Sequence, residues 1–134
     1  MREIKFRGFS ETLNKWVIGV PYFSEGNWWI LVDENTKSED IGTGSYFVDK
    51  NSIGQHTGLF DKQGVEIYEG NIVKFIPSGE YGLVTTFGKS QNLGIEWENS
   101  KTAFFTPMFY LGCESELEII GNIYEDPELL EGAK

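Results

Sequence analysis

Residues 53–75 read Ile-Gly-Gln-His-Thr-Gly-Leu-Phe-Asp-Lys-Gln-Gly-Val-Glu-Ile-Tyr-Glu-Gly-Asn-Ile-Val-Lys-Phe, and in them glycines alternate with β-branched and aromatic residues. Residues 61–64, Asp-Lys-Gln-Gly, have the polar opening and the closing glycine of a tight turn. The segments 65–68 and 72–76 around it are rich in residues that favour strands. The stretch therefore predicts short strands joined by glycine turns.

The same pattern extends along most of the chain, and no segment of useful length has a helical period. Asp126 and Pro127 open the sequence Asp-Pro-Glu-Leu-Leu like the cap and first residue of a helix of one or two turns. We predict an all-β fold with an N-terminal β-hairpin subdomain, residues 1–52, packed on a C-terminal SH3-like small barrel, residues 53–134. The further predicted strands are 3–7, 16–20, 28–32, 45–48, 83–87, 94–98, 103–106 and 117–124.

Three separated blocks of the sequence resemble one known family. They are Met-Arg-Glu-Ile-Lys-Phe-Arg at 1–7, the Gly-Gln-His-Thr-Gly-Leu to Ile-Val-Lys run at 54–74, and Glu-Ile-Ile-Gly-Asn-Ile-Tyr-Glu-Asp-Pro-Glu-Leu-Leu at 118–130. In this order they resemble the YopX family of small phage and prophage proteins. Family members have tyrosine where this chain has His56 and aspartate where it has Asn71. The resemblance implies a fold and a phage or prophage setting, and it brings no molecular activity with it.

The composition indicates a packed protein. The 134 residues are 40% hydrophobic and 15% aromatic with 4 prolines, which argues against disorder. No apolar run approaches the ~20 residues of a membrane span, and the charged start lacks the apolar segment of a signal peptide. Cys113 is the single cysteine, which excludes an intramolecular disulfide and fits a reducing compartment. We expect a protein of the bacterial cytoplasm, with no membrane partner.

Negative charge is concentrated in the second half of the chain. The formal net charge is −10, and residues 53–134 hold 5 basic and 13 acidic side chains. Such a surface repels phosphate backbones, which argues against duplex binding by the whole molecule. We interpret the acidic C-terminal tail as a solubilising face rather than a docking surface. A nucleic-acid role remains the alternative, either by direct binding through the SH3-like half or by acidic mimicry of DNA.

The residues that could carry chemistry do not form a convincing motif. His56 and Cys113 supply one imidazole and one thiol, which is too few for a structural zinc site unless two carboxylates join them. We favour the interpretation that both side chains fill space in the protein interior over the interpretation that they form a nucleophile and its base. The pair Glu96 and Glu98 shares a strand face, but such a spacing arises readily by chance in an acidic half-chain, as does that of Glu66 with Glu69.

Two loops look like ligand-binding motifs and depart from them. Asp33, Asn35 and Glu39 alternate as in a calcium loop, but Lys37 interrupts the series and no glycine stands at the sixth place. Residues 82–90 resemble a phosphate-binding loop with five residues between the glycines instead of four. We therefore predict no catalytic, cofactor-binding or metal-binding residue, and no enzyme activity.

The most distinctive surface candidate is the run Trp28-Trp29-Ile30-Leu31-Val32. Neighbouring side chains of a strand point to opposite faces, so these five cannot all be covered from one side. Cover by the two subdomains is one explanation. The other is a contact with a partner protein, from host or phage, or with a second copy of this chain, because interfaces are enriched in tryptophan. The sequence thus predicts a phage or prophage accessory protein that acts as a protein-interaction module, with Trp28 and Trp29 as its candidate surface.

Overall fold

The computed structural model describes residues 5–87, 92–98, 105–107 and 116–131. Its regular secondary structure is almost entirely antiparallel strands, arranged in two sheets, which confirms the all-β prediction. A 3₁₀ turn, Lys50–Ser52, and one short helix, α1 (Glu128–Glu131), complete the described part. The strands are β1 (Phe6–Ser10), β2 (Lys15–Ser24), β3 (Asn27–Val32), β4 (Gly44–Phe47), β5 (Gly54–Phe60), β6 (Glu66–Tyr68), β7 (Asn71–Phe75), β8 (Glu80–Phe87), β9 (Asn92–Trp97), β10 (Phe105–Pro107) and β11 (Leu117–Asn122).

The chain divides into two compact units, Met1–His56 and Thr57–Lys134, and the division falls inside β5. The predicted division into 1–52 and 53–134 lies slightly earlier in the sequence. Among the described residues, no helix combines the length and the apolar character required to cross a bilayer.

The first unit is a sheet in which β4, β3, β2, β1 and the start of β5 lie side by side. Strands β2 and β3 are joined by a two-residue turn, Glu25-Gly26, with φ of 54° and 83°. Positive φ at both positions is the geometry of a tight hairpin turn whose twist matches that of the flanking strands. The buried core of this unit is formed by Val17, Ile30, Val32, Ile41 and Val48.

The second unit contains a five-stranded antiparallel sheet with the order β10-β9-β8-β7-β11. Strands β7 to β10 follow one another along the sheet, and β11 returns beside β7. The core of this unit is formed by Ile67, Val73, Val84, Ile95 and Leu117, none of which is exposed to solvent. The SH3-like barrel expected for this part of the chain stays a prediction.

Gly58 lies within strand β5 and has a φ of 88°, a backbone conformation that glycine adopts without steric cost. One local prediction differs from the structure. The Asp126 carboxylate, predicted to cap the last helix, instead accepts the backbone N–H of Asn122 at 3.2 Å. Predicted features at 1–4, 88–91, 99–104 and Cys113 lie outside the described residues.

Candidate protein-binding surface

Trp28 and Trp29, the predicted candidate surface, are neighbours on strand β3 and point to opposite faces of the sheet. Along β3, burial alternates so that Ile30 and Val32 are buried while Leu31 is 45% exposed. Trp28 lies on the same side as Ile30 and packs against the core of the first unit. Trp29 lies on the opposite side, with Leu31. The predicted pair therefore does not form one surface.

The side of the sheet away from this core carries five large apolar residues on three adjacent strands. Directly paired residues share a face, and the pairs here are Val20 with Leu31, Tyr22 with Trp29, and Trp29 with Phe47. Val20 is 53% exposed, Phe47 44% and Tyr22 37%. We call Val20, Tyr22, Trp29, Leu31 and Phe47 the outer face.

Polar groups within the outer face have partners in the protein. The Tyr22 hydroxyl donates to Ser45 Oγ at 2.6 Å, and Trp29 Nε1 donates to the Ser24 carbonyl oxygen at 3.1 Å. The rings of Trp29 and Phe47 meet edge to face with centroids 5.8 Å apart. These contacts fix the positions of the aromatic side chains, and side chains that are already ordered lose less entropy in an interface.

The exposed apolar area of the outer face is large for a small protein. A large side chain has ~200 Å² of surface, so the partly exposed residues together leave roughly 300–400 Å² of apolar area facing solvent. Contiguous patches of this size on soluble proteins commonly mark binding sites. An interface needs about 800 Å² on each partner, so this patch can form its apolar centre but not the whole of it.

A cleft of about 520 Å³ lies beside the β2–β3 turn in the same unit. Phe23 and Trp28 line it, and their rings meet edge to face with centroids 5.5 Å apart. Phe23 is 60% exposed, the highest exposure among the large hydrophobic residues of the described part. The sequence analysis did not identify Phe23 and Phe47. The alternation of side chains along a strand predicts which residues share a face only when the register of the hairpin is known.

Two of the residues considered for chemistry lie in a buried strand and in an exposed turn. His56 is 5% exposed, and its backbone N–H donates to the Lys5 carbonyl oxygen at 2.9 Å. In the loop that departs from the calcium motif, Asp33 Oδ1 accepts the N–H groups of Asn35 and Thr36, which makes it a turn residue. In the described part of the chain, no group of three or more His, Cys, Asp or Glu side chains is placed to hold a metal ion.

The carboxylates proposed as acid-base pairs lie on strands or beside them. Glu66 Oε1 accepts the Tyr68 hydroxyl at 3.2 Å. Glu96 lies on β9, paired with Leu83 of β8, and the backbone N–H of Glu98 donates to the Tyr81 carbonyl oxygen at 3.0 Å.

Asn71, at the position where the family has aspartate, is a structural residue. It is 3% exposed, its Oδ1 accepts the Tyr68 N–H at 2.7 Å, and its Nδ2 donates to the Gly121 carbonyl oxygen at 3.4 Å. An aspartate could accept the same N–H. The bond to Tyr68 therefore requires an oxygen acceptor at this place and not a charge.

The chain is similar to a solved structure and to a family model. A solved structure, the crystal structure of protein EF1440 from Enterococcus faecalis, is 25% identical in sequence and has a TM-score of 0.48; the match covers 97% of this chain and 99% of that chain. No curated protein matches the sequence. The family model described as YopX protein matches residues 5–131. The chain therefore belongs to the YopX family.

Proposed function

We propose that this protein is a phage or prophage accessory protein that works in the bacterial cytoplasm by binding another protein, with no reaction of its own. The outer face is the observation that carries the proposal. Membership of the YopX family supports the phage setting through the resemblance described above. The partner is a protein whose contact surface is apolar, because the outer face offers aromatic and aliphatic side chains and no charge.

The area of the outer face favours a transient partner over a permanent dimer of this chain. Obligate homodimers bury about 2,000 Å² or more in total, or about 1,000 Å² on each subunit, whereas this patch supplies roughly 300–400 Å² of apolar area on one subunit. The Tyr22 to Ser45 hydrogen bond also places polar atoms within it, as in interfaces between proteins that exist separately. We therefore expect the purified chain to have the mass of a monomer in solution at micromolar concentration.

The test compares substitutions of equal chemistry inside and outside the outer face. The wild type, Leu31→Ser, Phe47→Ser and the control Phe60→Ser are each used to capture proteins from infected host extract. Phe60 is 46% exposed, close to the 44% of Phe47, and lies in the second unit. A protein retained by the wild type and by the control is then purified for binding measurements.

Each outer-face substitution should weaken that binding about tenfold or more, the effect of removing a residue from the centre of an interface. The control should leave the Kd unchanged. A partner whose Kd is insensitive to Leu31→Ser and Phe47→Ser would overturn the proposal. So would a wild-type dimer that becomes monomeric in these two variants, since the outer face would then bind a second copy.

A further inference from the structure

We propose that the cleft beside the β2–β3 turn binds a lysine or arginine side chain of the partner protein. The inference rests on the proposed function only in assigning the cation to a protein partner. The cleft lies in the first unit, where the β2–β3 turn, the end of β4 and the 3₁₀ turn come together, and Phe47 of the outer face also lines it. Its lining combines aromatic rings with carboxylates, and this combination selects an organic cation.

The aromatic contribution comes from Phe23 and Trp28. Their planes are inclined by 60° with centroids 5.5 Å apart, so the edge of one ring meets the face of the other. This arrangement leaves ring surface that the pair itself does not cover, and Phe23 is 60% exposed. The face of an aromatic ring is negative and attracts a cation placed over it.

The charged contribution comes from Glu11 and Asp49. Glu11 is exposed in the turn between β1 and β2, and Asp49 precedes the 3₁₀ turn. Asp49 Oδ1 accepts the Asn51 N–H at 2.9 Å, which fixes the position of that carboxylate. Lys50 also lines the cleft, together with these two acidic residues. The lining and the net charge of −10 both favour a cationic ligand over an anionic one.

The volume of the cleft fits a side chain together with part of its backbone. About 520 Å³ lies within the range of small-ligand sites, which is roughly 300–1,000 Å³. A single arginine or lysine leaves room for neighbouring residues of an extended peptide. A site of this kind supplies one anchor of a larger contact, so a short peptide should bind with a Kd of about 1 mM or weaker.

The experiment titrates the isotope-labelled chain with capped peptides of the sequence Ala-Gly-X-Gly-Ala, followed by NMR. X is arginine, lysine, norleucine or glutamate; norleucine matches lysine in shape and lacks the charge. The arginine and lysine peptides should shift the Trp28 indole N–H and the backbone N–H groups of Gly26 and Asn27. The norleucine peptide should bind at least about fivefold more weakly than the lysine peptide. The glutamate peptide should cause no shift.

Two variants test the lining, each with a matched control. Glu11→Gln should raise the Kd of the arginine peptide about two- to fivefold, while Glu39→Gln, the same change at another exposed position of the first unit, should not. Phe23→Leu should raise it by a similar factor, and Phe60→Leu should not. Glu11 is exposed, so its variant stays informative if Phe23→Leu fails to fold.

Equal affinity for the norleucine and lysine peptides would overturn the proposal, because the cleft would then be an apolar groove. Shifts caused by the glutamate peptide, or no shifts at about 10 mM arginine peptide, would overturn it as well. Leu31→Ser should leave the peptide Kd unchanged. The peptide experiment can therefore fail while the outer face still binds its partner, and the reverse also holds.

Discussion

Asp61 joins a local turn to a distant strand. The residue is 6% exposed. Its Oδ1 accepts the N–H groups of Gln63 and Val65, both at 2.9 Å, and its Oδ2 accepts the Ile119 N–H at 3.3 Å. The sequence Asp-Lys-Gln-Gly predicted the turn, because an aspartate that binds backbone two residues later is a local property. The bond to Ile119 spans 58 positions, and no local pattern indicates it.

Replacing Asp61 with alanine should therefore be costly. Asp61→Ala leaves three backbone N–H groups without their acceptor, and the free energy of unfolding should fall by about 2–4 kcal/mol. Urea denaturation measures the change. Asp33→Ala is the control, because Asp33 accepts N–H groups in the same turn pattern at an exposed position; it should cost about 1 kcal/mol or less. Equal losses for the two variants would contradict the structural role given to Asp61.

Gly82 is a glycine because the neighbouring strand leaves no room for a side chain, and not because its φ is unusual. A Cβ added there would overlap the Glu96 carbonyl oxygen of the neighbouring strand and would lie 2.9 Å from Ile95 Cγ2. Gly82→Ala should lower the free energy of unfolding by about 1–3 kcal/mol, because β8 and β9 would have to move apart.

Gly42→Ala is the matched control for Gly82→Ala. An added Cβ at Gly42 meets nothing within 4 Å, and the backbone there does not have a positive φ. The free energy of unfolding should stay within about 0.5 kcal/mol of the wild type or rise slightly. Thermal or urea unfolding of the two variants side by side checks the difference. A Gly82→Ala protein as stable as Gly42→Ala would show that the strands are less closely packed.

At the scale of elements, the strands were predictable because β propensity and alternation are local. Strand β2 runs to Ser24, beyond the predicted end at Val20, and Pro21 is paired there with Ile30 of β3. Proline argues against a strand interior when only the sequence is considered. The tight turn at Glu25-Gly26 explains the longer strand, because it holds β2 and β3 together up to Ser24 and Asn27.

The alternation along β3 gives an element-scale prediction. Ile30 is fully buried and Leu31 is 45% exposed, although the two are neighbours of similar size. Ile30→Ala should reduce the free energy of unfolding by about 2–5 kcal/mol because it leaves a cavity in the core. Leu31→Ala should reduce it by about 1 kcal/mol or less. Chemical denaturation of both variants distinguishes them, and the opposite ranking would mean that β3 presents its other face to the core.

At the scale of the whole molecule, charge decides which partners are excluded. Three of the described lysines pair with carboxylates: Lys15 with Asp40 at 3.4 Å, Lys37 with Glu34 at 2.7 Å and Lys62 with Glu118 at 4.0 Å. These lysines are therefore not available as an unopposed basic patch. Together with the net charge of −10, this argues for a protein partner over nucleic acid.

The chain should accordingly pass through heparin and duplex-DNA columns without retention even at about 50 mM salt, and it should bind an anion exchanger. A retained fraction that elutes steadily earlier as salt is raised would instead reveal phosphate contacts. It would support the alternative of direct nucleic-acid binding. Unfolded protein on the same column serves as the control for retention by charge alone.

The amino-acid sequence by itself determined the strand content, most of the turns, the family and the excess of negative charge. These properties follow from residues close together in the chain or from simple composition. The tertiary structure decided which tryptophan packs on the core, how Val20, Tyr22, Trp29, Leu31 and Phe47 come together, and that Phe23 and Trp28 line a cleft. Strand pairing brings these residues together, and a shift of one residue in register would exchange the two faces of a strand. Register depends on turn geometry and on packing against distant strands, so a surface shared by three strands exists only once the sheet has formed.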